Sequence, residues 1–213
     1  MLSSPLFNLL VTFTWAICTI AAPASPSNLV YAARAVQGGC STSNLSVPLP
    51  SGQTTLSVPT GQQTIYATTG RGIQNYTCTD GAWVSVGALA NLYDTSCFFD
   101  FFPDQTSGRA LTELAYEYLD YPDQSGLPVK LHHFFVNTPN ATSGVSAEFA
   151  SATDHTVFSK TGSLNASDAI TDVPWLELTA IAGQGTLAKT AFRLDTVGGQ
   201  PPASYAANSF LMA

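Results

Sequence analysis

The sequence predicts a mainly β, single-domain fold: an antiparallel β-sandwich or jelly-roll-like barrel with one inserted helix near 107–120. Three observations carry this. Short runs alternate apolar and polar residues, the period of a half-buried strand. Turn signals built from Gly, Pro, Asn and Asp recur between them at close spacing, as in sandwiches and barrels. Only one stretch has a helical period.

The elements follow in chain order. Residues 25–62 are rich in Ser, Thr, Pro and Gly. Leu45–Leu49 and Thr54–Val58 alternate but are broken by Pro48, Pro50 and Pro59, which predicts edge strands and loops, because proline cannot donate to a ladder. QTIYATT and IQNYTC read as strands, with Gly70-Arg71-Gly72 as the turn between them. GALANLYD follows. From Ser107 to Leu119 the apolar positions Ala110, Leu111, Leu114, Ala115, Tyr118 and Leu119 recur at i, i+3, i+4 and i+7, one face of a helix. Thr106 or Ser107 is its expected cap and Pro122 its stop. VKLHHFFV, VSAEFA and HTVFSKTG are further strands. PWLELTAIA and TLAKTAFRL, joined through Gly183-Gln184-Gly185, predict a hairpin.

The ends of the chain point to compartment. No Lys, Arg, Asp or Glu precedes Arg34. An apolar run, Leu6–Ile20, is followed by Ala21, Ala22, Pro23 and Ala24. This is the pattern of a secretory signal peptide over 1–22, with cleavage within 21–24. The run is shorter than the roughly 20 residues a membrane span needs. A flexible segment, 23–39, and one β-rich domain, 40–213, complete the expected organisation. Four N-x-[ST] sequons, at Asn44, Asn75, Asn140 and Asn165, fit an exported glycoprotein. With Cys18 in the leader, Cys40, Cys78 and Cys97 remain, and three pairings are open. Cys40–Cys97 is the pairing that would tie the extended N-terminal segment to the core, leaving Cys78 as a buried thiol in a strand.

Composition narrows function. The chain has 7 basic and 14 acidic residues and a net charge of −7, the wrong sign for a nucleic-acid partner. Half of the acids lie between Asp94 and Asp123, which reads as a solvated helix face with its loops. His132, His133 and His155 are the only histidines. His132 and His133 point to opposite faces of a strand and cannot share a metal. No ligand spacing suggests a metal or other cofactor. Asp172-Val-Pro-Trp175 opens one arm of the predicted hairpin and Arg193-Leu-Asp195 closes the other, so these ends should meet. An Arg–Asp clamp is the structural expectation there. The functional one is a pocket of His133, Asp172, Trp175, Arg193 and Asp195, in which Trp175 stacks on a sugar ring.

Several segments together resemble the DUF3455 family of secreted proteins of unknown function, most similarly its fungal branch. They are Gly70–Cys78, Gly87–Asp94, His132–Phe135, Asp172–Leu176 and Arg193–Gly199 with Pro201 and Pro202. The resemblance implies a mostly β fold and export. Some relatives carry a malate dehydrogenase label, which these residues do not support. Gly183-Gln-Gly-Thr-Leu-Ala188 spells G-x-G-x-x-A, but the 25 residues after it leave no room for the rest of a dinucleotide-binding unit. The expected function is that of a noncatalytic extracellular or cell-wall-associated glycoprotein, with cell-wall polysaccharide as a partner and no membrane contact after leader cleavage. The alternative is an extracellular hydrolase using carboxylates or His133.

Overall fold

A computed structural model describes residues 40–122 and 126–202. The expected leader with its cleavage zone and the expected flexible segment 23–39 lie outside the described residues. Seven antiparallel strands form one curled sheet, a half-barrel. They are β1 (Thr68–Thr79), β2 (Ala82–Asp94), β3 (Val129–Asn137), β4 (Val145–Ala150), β5 (His155–Leu164), β6 (Trp175–Gly185) and β7 (Thr190–Arg193). Each pairs with its sequence neighbour, so the sheet is a meander in the order β1 to β7. Two helices, α1 (Ser96–Phe101) and α2 (Gln105–Tyr118), sit between β2 and β3. No described helix is long and apolar enough to cross a membrane.

The mainly β antiparallel class follows from the alternation, but the layering differs from two packed sheets. Curling lets one sheet supply its own opposing wall. The inner face carries Ala147, Phe158 and Leu178, packed with Phe135, Phe149, Leu176 and Ala191. A second cluster joins Trp175 to Leu56 and Ala166, with Leu49, Leu164 and Leu194 around it. The arm 45–67 forms no ladder, yet Leu56 is buried. Its prolines remove ladder donors, and the side chain of Gln53 organises it instead, accepting from Leu56 N–H and donating to Leu56 O.

Three turn or face assignments shift. Gly70-Arg71-Gly72 is not a turn but lies inside β1. A Cβ on Gly72 would sit 2.0 Å from the Leu89 carbonyl oxygen, so glycine permits the close strand approach there. The β6–β7 hairpin forms, with Thr179 opposite Thr190 and Leu178 opposite Ala191. Its turn, however, is at 186–189, because β6 runs on to Gly185 and pairs with Thr156 of β5. No helix follows the G-x-G-x-x-A residues; strand β7 does.

Helix α2 covers the predicted stretch and begins two residues earlier. Asp104 is its cap, accepting from Ser107 N–H at 2.9 Å and from the Ser107 hydroxyl at 2.8 Å. A side-chain acceptor at this position satisfies an amide the helix leaves free. Its buried face is rotated from the expected one. Gly108 and Ala115 are buried, Leu111, Thr112 and Leu119 half-buried, while Ala110, Leu114 and Tyr118 face out.

Cys40 and Cys97 form a disulfide, with Cα atoms 5.0 Å apart and a sequence separation of 57. It ties the arm to α1. Cys78 is exposed rather than buried. It lies near the tip of the β1–β2 hairpin, beyond the residues Ala90–Tyr93 where β2 pairs with β3. By the chain-entropy relation, removing the bridge in a C40S/C97S variant should cost about 4 kcal/mol. Guanidinium unfolding of the two proteins measures it. In a folded chain prepared without residues 1–22 a maleimide should label Cys78 alone, and C78S should abolish labelling.

Candidate functional site

The expected site residues divide among three places. Trp175 is 3% exposed, sealed against Leu56 and Ala166. It is therefore not a sugar platform, because the hydrophobic arm has taken its face. Its indole N–H has no hydrogen-bond partner among the described residues.

Asp172 is 2% exposed and is the centre of a network. Its carboxylate accepts from Arg109 of α2 at 2.6 Å, from the Gly198 amide at 2.7 Å and from the Thr171 hydroxyl at 3.0 Å. Arg109 also donates to the Thr196 carbonyl at 2.7 Å and pairs with Glu113 one helical turn on. Asp172 and Gly199 form a β-bridge, and Tyr76 of β1 donates its hydroxyl to the Gly199 carbonyl at 2.8 Å. The network thus straps the segment after β7 across to β1 and fastens α2 beside it. Burial pushes the Asp172 carboxyl up, but the donors outweigh it, and the net shift is downward. Asp195 is buried beside α2, where a Cβ on Gly108 would come within 2.5 Å of its carboxylate oxygen. Glycine at that position lets the helix dock, which is why the buried face is rotated toward Gly108.

The expected Arg–Asp clamp is corrected in its partners. Arg193 pairs in register with Leu176 and points its guanidinium at the Pro174 carbonyl, with Nε at 3.2 Å and Nη2 at 2.8 Å. Asp172 belongs to Arg109 instead. No carboxylate reaches Arg193 among the described residues. Burial pushes its guanidinium down to about 10, against a smaller opposing pull from Tyr76.

His133 lies on the inner face of β3. Its ring stacks on Phe149, centroids 4.4 Å apart, and meets Phe135 edge-on. Nδ1 is 3.0 Å from the Glu148 carbonyl oxygen, which only accepts, so Nδ1 carries the hydrogen. Burial lowers its pKa to about 4; the carbonyl opposes this and the Arg193 charge adds to it. Burial thus favours the uncharged imidazole at neutral pH, and among the described residues no acid orients it. Outside this pair, His132 turns to Asn91 at 3.0 Å. No cluster of three or more potential metal ligands occurs among the described residues.

A hollow of about 650 Å³ opens between the arm, the inner sheet face and the segment 186–195. Leu92, Leu131, Phe149 and Phe158 form its apolar floor. Gln62, Gln63, Thr64 and Thr69 bring neutral polar groups from the arm and the start of β1. Among the described residues lining it, Lys189 and Asp195 are the charged ones. Phe149 thus belongs both to the hollow and to the His133 stack.

The profile of a family described as a protein of unknown function, DUF3455, matches residues 59–209, more than half of the chain. The chain belongs to the DUF3455 family. No curated protein and no solved structure matches it. The DUF3455 match takes in the whole sheet, both helices and the Asp172 network. It leaves out Cys40 and the first part of the arm that closes over Trp175.

Reasoning from sequence missed Arg109 as the partner of Asp172. Sequence offered one signal: Arg109 is flanked by the small residues Gly108 and Thr112, which mark the docking side of α2. The 650 Å³ hollow had no sequence signal, since its residues come from six separate stretches.

Two outcomes follow from this geometry. Asp172→Ala removes the hub, and Arg109→Ala leaves a buried carboxylate without its cation. Breaking such a pair should cost about 3 kcal/mol or more, read by denaturant unfolding at pH 7. For His133, the folded pKa lies below the ordinary 6.5, so the unfolded chain binds the proton first. Stability should be full above pH 6.5 and fall as pH drops toward 4, by an order of 3 kcal/mol. His133→Gln should flatten that slope in unfolding midpoints taken across pH 7 to 4.

Proposed function

We propose that this DUF3455 protein is an exported, noncatalytic glycoprotein of the extracellular space or cell wall that holds a neutral, largely apolar small molecule in the hollow of its half-barrel. The hollow carries this reading. Its volume lies in the range of ligand sites, its floor is apolar, and a few neutral hydroxyl and amide groups stand at its edge. The near absence of charged lining disfavours nucleotides and other polyanions. Export is supported by the leader pattern at 1–22, by the four sequons and by a disulfide, which persists in oxidising compartments. For the hydrolase reading, the relevant observation is that His133 stacks on Phe149 and hydrogen-bonds a backbone carbonyl rather than an acid. A general base needs a reachable substrate proton and a tuned pKa.

Titration with Nile red, a neutral apolar dye, tests the reading. Saturable binding with a blue-shifted emission is expected. Thr190→Trp, which fills the hollow from β7, should weaken it at least tenfold. Non-saturable binding, or binding unaffected by Thr190→Trp, would overturn it. In the same preparation, retention on insoluble chitin or β-glucan without competition from the dye would favour polysaccharide as the partner instead.

A further inference from the structure

The β1–β2 hairpin carries apolar side chains on the wrong face. Ile73, Val84, Val86 and Leu89 are each between 38% and 46% exposed. The residue beside Leu89 that turns inward is only Ala88, which is buried. Ile73 stands directly opposite Leu89, so the two form a cross-strand pair on the outer surface. From Gly72 to Leu92 the one charged residue is Asp80, at the tip. Nor does a third strand help, because β2 pairs with β3 only over Ala90–Tyr93. An apolar outer face on a hairpin whose one charge between Gly72 and Leu92 sits at the tip invites association with other chains, and proteins normally blunt such surfaces.

Asn75 stands within this patch. It is two residues from Ile73 on the same strand, hence on the same face. Its cross-strand partner is Gly87, which has no side chain to crowd it. The sequon is Asn75-Tyr76-Thr77, and Thr77 is exposed. Among the four sequons, Asn75 alone lies in a strand; Asn44, Asn140 and Asn165 are in turns or loops.

We infer that Asn75 bears an N-linked oligosaccharide whose inner sugars lie over Ile73, Val86 and Leu89, so that the glycan is the cover of the hairpin's outer face. The inference rests on the export reading above. In the attachment, the Asn75 amide nitrogen bonds to C1 of an oligosaccharide held on a lipid diphosphate. The bond from C1 to the diphosphate oxygen breaks, the diphosphate leaves with the electron pair, and an amide proton passes to solvent. A glycan is bulky and solubilising, and here it supplies the hydration that the hairpin's own side chains lack. A second copy of the chain cannot dock on the same face while the glycan is there.

The full chain, with its own leader, would be expressed in a eukaryotic secretory host. Glycopeptide mass spectrometry should find Asn75 occupied. Thr77→Ala, which removes the sequon and keeps Asn75, and Asn75→Gln should each convert a monomer to a dimer or larger species by size exclusion with light scattering. Adding Ile73→Thr and Leu89→Thr to either should restore the monomer. Secretion with sugars at Asn44, Asn140 or Asn165 but not at Asn75 would overturn the inference and leave the export reading standing. An occupied Asn75 whose removal leaves the protein monomeric would also overturn it. Retention in the cell with every sequon bare would overturn both.

Discussion

The Asp172 carboxylate joins what the sheet leaves apart. A seven-stranded meander has two edges, and here neither strand edge meets the other. Asp172 holds the end of the chain after β7 through Gly198, grips α2 through Arg109, and bridges to Gly199, whose carbonyl takes the Tyr76 hydroxyl of β1. A buried carboxylate is costly unless several donors converge on it. Here Arg109, Gly198 and Thr171 supply those donors, so one carboxylate fixes both α2 and the residues after β7.

The interior is divided by its chemistry. On one side the hollow is apolar and faces the arm. On the other, His133 and Arg193 share a desolvated region in which burial disfavours a proton on the histidine and the Pro174 carbonyl accepts from the arginine. Two basic groups beside each other disfavour a proton on the weaker one. The region therefore favours a fixed, single-charge state rather than proton shuttling.

Much of the architecture could be read from the sequence because strand alternation is local. The strands β3 to β6 fall where VKLHHFFV, VSAEFA, HTVFSKTG and PWLELTAIA alternate, and the helix falls on its periodic stretch. What could not be read is set by close approach between distant segments. Gly72 looks like a turn residue until the Leu89 carbonyl is placed against it. Leu114 and Tyr118 belong to the apolar period of α2, yet the helix turns its glycine side inward to meet Asp195. Trp175 and Asp172 were legible as important residues, but not their partners: Leu56 and Arg109 are 119 and 63 residues away. Burial by a proline-broken arm leaves no periodic trace, so Trp175 reads as available when it is sealed.

The meander order also bears on how the chain reaches this state. Every ladder joins strands adjacent in sequence, so each hairpin can form once its second strand has left the ribosome or a translocation channel. Contacts of this kind carry little loop-closure entropy and form quickly. Longer-range links are laid over these ladders, among them the Cys40–Cys97 bridge, the Leu56–Trp175 packing, the Arg109–Asp172 pair and the Tyr76–Gly199 bond, which spans 123 residues. The ladders can therefore form locally along the chain, whereas the strap needs Asp172 and residues 196–200 together with Tyr76, and joins segments that the ladders leave apart.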